Sequence, residues 1–300
     1  MAEKSVEQTP SKTALFTAMR RALANMRYQD DRFGPDNLAL VFLPALHRFL
    51  LKSRSIQERT WNRLAAAMPG MNEYIIARTA FFDRLFLAAL KERIPQIVLL
   101  GAGYDSRAYR FAEYIHDTII FELDAAPTQN RKIKCLQAAG IKIPPEVQYI
   151  PIDFAAESLA DALALSGYSQ RERTLFLWEG VSYYLQRPAV AATLAFAGRC
   201  EKRDSLIAFD ICDAVTPDTP GTVYGAADFL NAMQAYHTDE GLLFTARAGE
   251  METILAESNL KMTQYLDAEA IEREYLMDER GVSIGRMLGL FRFVCAAPAI

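Results

Sequence analysis

The stretch IVLLGAGYDSRAYRF, residues 97–111, leads four apolar residues into a Gly-Ala-Gly turn and then a charged, polar segment. Small residues such as Gly101 and Gly103, at the carboxyl end of a buried strand, let a ligand lie against the backbone. The next apolar run ends in FELD, so Glu122 and Asp124 follow the glycines by about twenty residues. A carboxylate at the tip of a second strand can accept hydrogen bonds from two ribose hydroxyls at once. Read blandly, the glycines only make a tight turn and the carboxylates only face solvent. A dinucleotide would want G-x-G-x-x-G, with its pyrophosphate on a helix N-terminus. Here the third position is Ser106, flanked by Asp105 and Arg107, and a carboxylate at Asp105 would repel a pyrophosphate. A nucleoside cofactor that carries positive charge suits the turn better. S-adenosylmethionine carries an ammonium and a sulfonium; its carboxylate then needs a cation, and Arg78 lies upstream in IIARTAFFD.

These groups meet only if a parallel sheet puts the strand ends side by side. Five β-rich runs follow Pro95: residues 96–103, 118–124, 147–153, 174–180 and 205–212. They are near-continuously apolar, as strands buried on both faces are. Helical patterns at about 127–139, 156–165 and 188–202 separate them, which predicts a doubly wound α/β domain. A helix at about 248–258, an apolar run at 260–266, an acidic helix at 267–276 and a last strand at 287–297 complete it. Residues 1–12 read as a disordered tail, and 13–93 as a helical cap in which PDNLALVFLPALHRFLL breaks at Pro44. The α/β domain then spans 94–300, with a Pro-, Gly- and Thr-containing insertion at 213–247 that reads as a lid.

The bulk composition fits this picture. Of 300 residues, 51% are hydrophobic and 23% charged, so a sizeable core is expected. The net charge of −4 and the lack of a basic block argue against a nucleic-acid partner. No apolar run is long enough for a membrane span, and no signal core is visible, so no membrane partner and a cytoplasmic location are expected. Cys135, Cys200, Cys212 and Cys295 form no C-x-x-C pair and read as buried thiols. His47, His116 and His237 are too scattered for a metal cluster.

ARTAFFDRL, VLLGAGYDSRAYRF, FELDAAPTQNRK, VQYIPIDF and LFLWEGVSYYL, in this order and spacing, resemble the leucine carboxyl methyltransferase family, most closely over about 70–190. That family uses S-adenosylmethionine and includes tetracenomycin-type polyketide O-methyltransferases. The resemblance implies a class I methyltransferase fold, a Rossmann-like doubly wound sheet, mostly parallel with its last strand antiparallel. It implies that Arg78 binds the cofactor carboxylate, that Gly101 contacts the cofactor through its backbone, and that Gly103 and Asp105 shape the amino-acid end. Asp124 would hold the ribose, with Glu122 second in rank. Asp153 and Phe154 would flank the adenine. Glu179 would line the pocket near the reacting end, and Tyr184 would touch the substrate.

Other residues have simpler readings. Arg107 and Arg110 are expected to pair with Glu122 or Asp105. Tyr183, Trp178, Phe81 and Phe82 are expected to pack.

Methyl transfer needs the acceptor in line with the sulfonium carbon and water excluded. A carboxylate acceptor is already ionised at pH 7, whereas a phenol would benefit from a base. No Ser-His or His-Asp pair stands in the motifs, and His237 is the one histidine near the insertion. The favoured acceptor is therefore the carboxylate of a small hydrophobic acid. A phenol or other hydroxyl, and a protein C-terminal carboxylate, are the alternatives. A nicotinamide-dependent oxidoreductase and a nucleoside-binding pseudoenzyme are the rivals from other classes.

Overall fold

The computed structural model describes residues 9–154, 156–236, 241–247 and 249–299. Ser11 caps the first helix, α1 (Lys12–Arg27), its hydroxyl accepting from the Ala14 amide. The expected helix before Pro44 is absent. Two 3-10 turns, Asp31–Phe33 and Ala39–Phe42, stand there instead. Local polar chemistry explains the difference: the Asp36 carboxylate accepts from the Leu38 amide at 3.1 Å, which competes with helical bonding. A short helix, α2 (Ala45–Leu50), follows Pro44, and α3 (Arg54–Ala67) follows Ser53. The longest helix, α4 (Met71–Lys91), runs without Pro or Gly and is mostly buried.

The α/β rhythm then appears as read from the sequence, with one short helix, α5, that the sequence reading did not include: β1 (Gln96–Leu100), α5 (Arg107–Arg110), β2 (Ile119–Asp124), α6 (Ala126–Ala138), β3 (Val147–Pro151), α7 (Leu159–Leu163), β4 (Thr174–Trp178), α8 (Arg187–Ala197) and β5 (Leu206–Cys212). The insertion supplies α9 (Thr219–Thr222) and α10 (Ala226–Tyr236). The chain ends with α11 (Glu250–Glu257), β6 (Leu260–Leu266), α12 (Ala268–Tyr275) and β7 (Phe291–Pro298). The sheet order is β3-β2-β1-β4-β5-β7-β6. Strands β1 to β5 pair in parallel, and β7 lies antiparallel between β5 and β6.

Two apolar cores sandwich the sheet. Ile97 and Leu99 face the core that holds α1 and α4, while Val98 and Leu100 face the one that holds α8 and α11. This two-sided burial is why β1 reads as an unbroken apolar run. Helix α4 lies directly on the sheet: Phe81 stacks on Phe293 at 4.7 Å, and Phe82 is fully buried. Phe81, Phe82 and Trp178 are core residues, as expected.

The ends of the insertion meet beyond β5, where Asp213 and Ala246 form an isolated bridge. Phe229 of α10 is buried edge-on against Phe291 at 5.6 Å. His237 lies outside the described residues. No described helix is long and apolar enough to cross a membrane.

Candidate functional site

The carboxyl ends of β1, β2, β3 and β4 form one edge, and most of the expected site residues stand on it. At the end of β1, Gly101 has φ +69°, and a Cβ there would overlap Val181 Cγ2. Only glycine fits both the left-handed backbone and the approach of the β4 loop. The Gly103 amide donates to Asp124 Oδ2 at 2.5 Å, and the Ala102 amide to the Leu123 carbonyl at 2.9 Å, which ties the glycine turn to the tip of β2. The Ile152 amide donates to the Asp124 carbonyl at 3.0 Å, so half-buried Asp153 and Phe154 follow directly beside it. Helix α1 closes over this corner. A Cβ at Gly103 would lie 3.3 Å from Ala14 Cβ, and the Ser11 amide donates to Thr128 Oγ1 at 2.9 Å.

The two acids of FELD have different fates. Glu122 points into the protein, pairs with Lys132 Nζ at 2.6 Å, and accepts from the Tyr109 hydroxyl at 3.1 Å. Asp124 has no ion-pair partner among the described residues, and burial outweighs the Gly103 amide to push its pKa up to about 6. An unpaired acid at a strand tip is an acceptor ready for hydroxyl donors.

Asp105 is held by its neighbour. Its two oxygens accept from the Arg107 amide at 2.7 Å and from Arg107 Nη1 at 2.6 Å. Burial opposes its ionisation, but Arg107 holds its pKa down at about 2. The expected Arg107–Asp105 pair is therefore present. The other expected pairing is corrected: Glu122 takes Lys132, while Arg107 also reaches Asp83 and Glu179, and Arg110 reaches Asp83 and Asp36. The reason is direction: Glu122 faces α6, and both arginines face α4.

Arg78 sits between two carboxylates. Its Nε donates to Glu179 at 3.0 Å, and its Nη1 lies 3.3 Å from Asp210 and from the hydroxyls of Tyr74 and Tyr183. Its Nη2 makes no hydrogen bond with the described residues and is not sealed from solvent. Gly180, at φ +73°, leaves room for this guanidinium, since a Cβ there would stand 2.8 Å from Nη1. Burial alone would raise the Glu179 carboxyl, yet Arg107 and Arg78 hold it below the usual range. Asp210 accepts from the Gly180 amide at 2.6 Å and from Tyr74, and burial raises its carboxyl despite Arg78.

Sequence reasoning missed Asp210, Asp83, Tyr74 and Lys132. The one available signal was a lone acid inside the apolar run SLIAFDIC. Tyr183 packs as expected, but it also gives Arg78 a polar partner. Tyr184 is half-buried, edge-on to Tyr183 at 4.7 Å.

The ion pairs run in a continuous chain: Arg21–Asp36–Arg110–Asp83–Arg107, then Asp105 and Glu179, then Arg78–Asp210. Four arginines meet five acids, for a formal charge of −1. S-adenosylmethionine, with one carboxylate, one ammonium and one sulfonium, carries +1, so the charges are complementary. Arg78 Nη2 has no hydrogen-bond partner and half-buried Asp124 no ion-pair partner among the described residues, so a carboxylate would suit the first and hydroxyl donors the second. The residues present fit this cofactor.

A family model described as leucine carboxyl methyltransferase matches residues 14–198. A provisionally named S-adenosyl-L-methionine-dependent methyltransferase of Mycolicibacterium gilvum is 34% identical over 185 residues, 59% of this chain and 72% of that one. A Bacillus subtilis protein named in the same provisional way is 28% identical over 196 residues, 65% of this chain and 64% of that one, just under two thirds of its length. In fold, the chain resembles the solved structure of a provisionally named Thermobifida fusca methyltransferase, with TM-score 0.59, 12% identity, and 97% and 96% of the two chains covered. A DUF574 family protein of Streptomyces avermitilis superposes with TM-score 0.57 at 11% identity, covering 93% and 96%. The methyl-donor reading thus displaces the nicotinamide one. The chain belongs to the leucine carboxyl methyltransferase family and is an S-adenosylmethionine-dependent methyltransferase.

Proposed function

We propose that the protein methylates the carboxylate of a small hydrophobic acid, giving a methyl ester. The observation that carries the choice of acceptor is the state of the acids around Arg78 and Arg107. Glu179 and Asp105 are held ionised below the usual range by arginine, and Asp210, whose carboxyl burial raises, is fully enclosed and taken by the Gly180 amide and Tyr74, so none of the three is placed and poised as a base for a phenol. Among the described residues, His47 and His116 are exposed and off the site. An acceptor that arrives ionised needs no such base. Its oxygen bonds to the methyl carbon as the carbon–sulfur bond breaks, and no proton is released.

When bound, S-adenosylmethionine supplies an electrophilic methyl group. The protein's own residues position the reactants and keep water out. Arg78 orients the donor's carboxylate through Nη2, Asp124 accepts from the ribose hydroxyls, and Asp153 and Phe154 flank the base. Tyr184, half-buried on the apolar core that also holds Phe229 and Met233 of α10, is the side chain that an aliphatic or aromatic acid would contact.

The test is a transfer assay with methyl-labelled S-adenosylmethionine and matched sets of hydrophobic carboxylic acids, phenols and C-terminal peptides. The expected product is labelled and base-labile, releasing methanol at alkaline pH, and arises from the small acids. Label that appears only in phenols and survives base would refute the carboxyl assignment. Label in the peptides alone would replace the small acid by a protein terminus.

A further inference from the structure

Helices α2 and α3, joined through Leu51–Ser53, expose greasy and cationic side chains. Every residue of α2 is exposed. Leu46, Phe49 and Leu50 are 65%, 68% and 37% exposed and sit at i, i+3 and i+4, so they form one apolar stripe on a single turn of helix. Leu51 is 3% exposed and anchors the turn from behind. Over 45–63 the chain carries Arg48, Lys52, Arg54, Arg59 and Arg63, all exposed, against one acid, Glu58. Glu58 is already paired with Arg27. None of the five cations makes a side-chain hydrogen bond or ion pair with the described residues. This local excess of positive charge stands out in a chain whose net charge is −4. Lys52 and Arg54 also line a groove of about 630 Å³ together with Met26, Trp61 and Glu58.

We infer that this helical segment docks the protein on an anionic lipid surface, with Leu46, Phe49 and Leu50 entering the headgroup boundary and the five cations meeting lipid phosphates. Short apolar stripes flanked by Lys and Arg bind membranes in this way, and each signal alone is weak. A second copy of the chain fits less well. A six-residue helix offers far less than the roughly 800 Å² per partner of a stable interface. Two copies would also bring their cations together. A nucleic acid would use the charges but leave the apolar stripe in water. Lipid docking needs no membrane-spanning segment, and it does not depend on which acceptor is methylated.

The test is flotation of the full chain with vesicles of phosphatidylcholine, with and without phosphatidylglycerol. The expected result is co-flotation with the anionic vesicles only, weakened by salt. L46E/F49E should lower the bound fraction about tenfold or more, and K52E/R54E should lower it severalfold. Because these side chains are exposed, both variants should keep the wild-type melting temperature and S-adenosylhomocysteine affinity, which separates lost docking from lost folding. Wild-type protein that stays off anionic vesicles would overturn the inference. So would vesicle binding that L46E/F49E leaves unchanged. Sedimentation as a dimer that L46E/F49E makes monomeric, without vesicle binding, would assign the stripe to self-association. Duplex DNA binding lost in K52E/R54E but kept in L46E/F49E, again without vesicle binding, would assign the cations to nucleic acid.

Discussion

Asp124→Asn should make the ligand-free protein more stable while weakening its hold on the cofactor. In the folded chain the Asp124 carboxyl rises from 3.8 to about 6 because burial disfavours its charge more than the Gly103 amide and the Lys132 charge favour it. That is close to two pKa units, and each unit is about 1.4 kcal/mol, so keeping the acid ionised at pH 7.5 costs about 3 kcal/mol at most. The sign follows from proton binding. Between pH 4 and 6 the folded state holds this proton more tightly than the unfolded state, so the stability of the ligand-free protein falls as pH rises through that window. Asparagine keeps an oxygen for the Gly103 amide but carries no charge. For a chain of 300 residues, a gain of about 3 kcal/mol raises the melting temperature by on the order of 5 °C. The cofactor loses charge-assisted hydrogen bonds worth about 1.5–3 kcal/mol, roughly ten- to a hundredfold in affinity. Thermal melts without ligand at pH 4.5 and 7.5, with calorimetric titration of S-adenosylhomocysteine at pH 7.5, read both effects. A D124N protein that melts lower without ligand and binds as tightly as wild type would rule out both the buried charge and its role toward the ribose.

Arg78→Ala leaves Glu179 and Asp210 without their shared arginine, so it should lose about 3–5 kcal/mol of stability as well as most cofactor affinity. A denaturant melt and a titration check the two losses, and an unchanged affinity would remove Arg78 from the cofactor site. Glu122→Gln should change S-adenosylhomocysteine affinity by no more than a few-fold, because Glu122 is turned toward Lys132. If it harms binding more than D124N does, the two acids have been given each other's roles. Lys132→Met should instead lower stability by about 3–5 kcal/mol by stranding Glu122, which a urea melt would show. Gly101→Ala should cost at least about 1–2 kcal/mol for the left-handed backbone alone. Adding Val181→Ala should recover only the steric part of its fall in melting temperature, and full recovery would argue against backbone strain.

The sheet was legible because burial on both faces writes each parallel strand as a nearly pure apolar run. The tips could be read for a related reason: Gly101, Asp124 and Glu179 end such runs, where the chain must turn. The Asp105–Arg107 pair was also within reach, since its partners stand two residues apart. Asp210 was not. It is one acid in an apolar strand, and Tyr74 and Arg78 arrive from helix α4, 136 and 132 positions away. Glu122 and Asp124 could not be ranked by spacing alone, because residues two apart on a strand share a face, and only the packing of α6 brings Lys132 to one of them. Residues 35–43 read as helical by apolar spacing, which carries no record of the Asp36 side chain taking a backbone amide.

The most direct measurement is calorimetric titration of the purified full chain with S-adenosylhomocysteine, with NADH as the control. One-to-one binding in the micromolar range is expected, weakened in D124N and absent for NADH. A folded protein that takes up no S-adenosylhomocysteine, or that binds NADH equally well, would contradict the cofactor assignment.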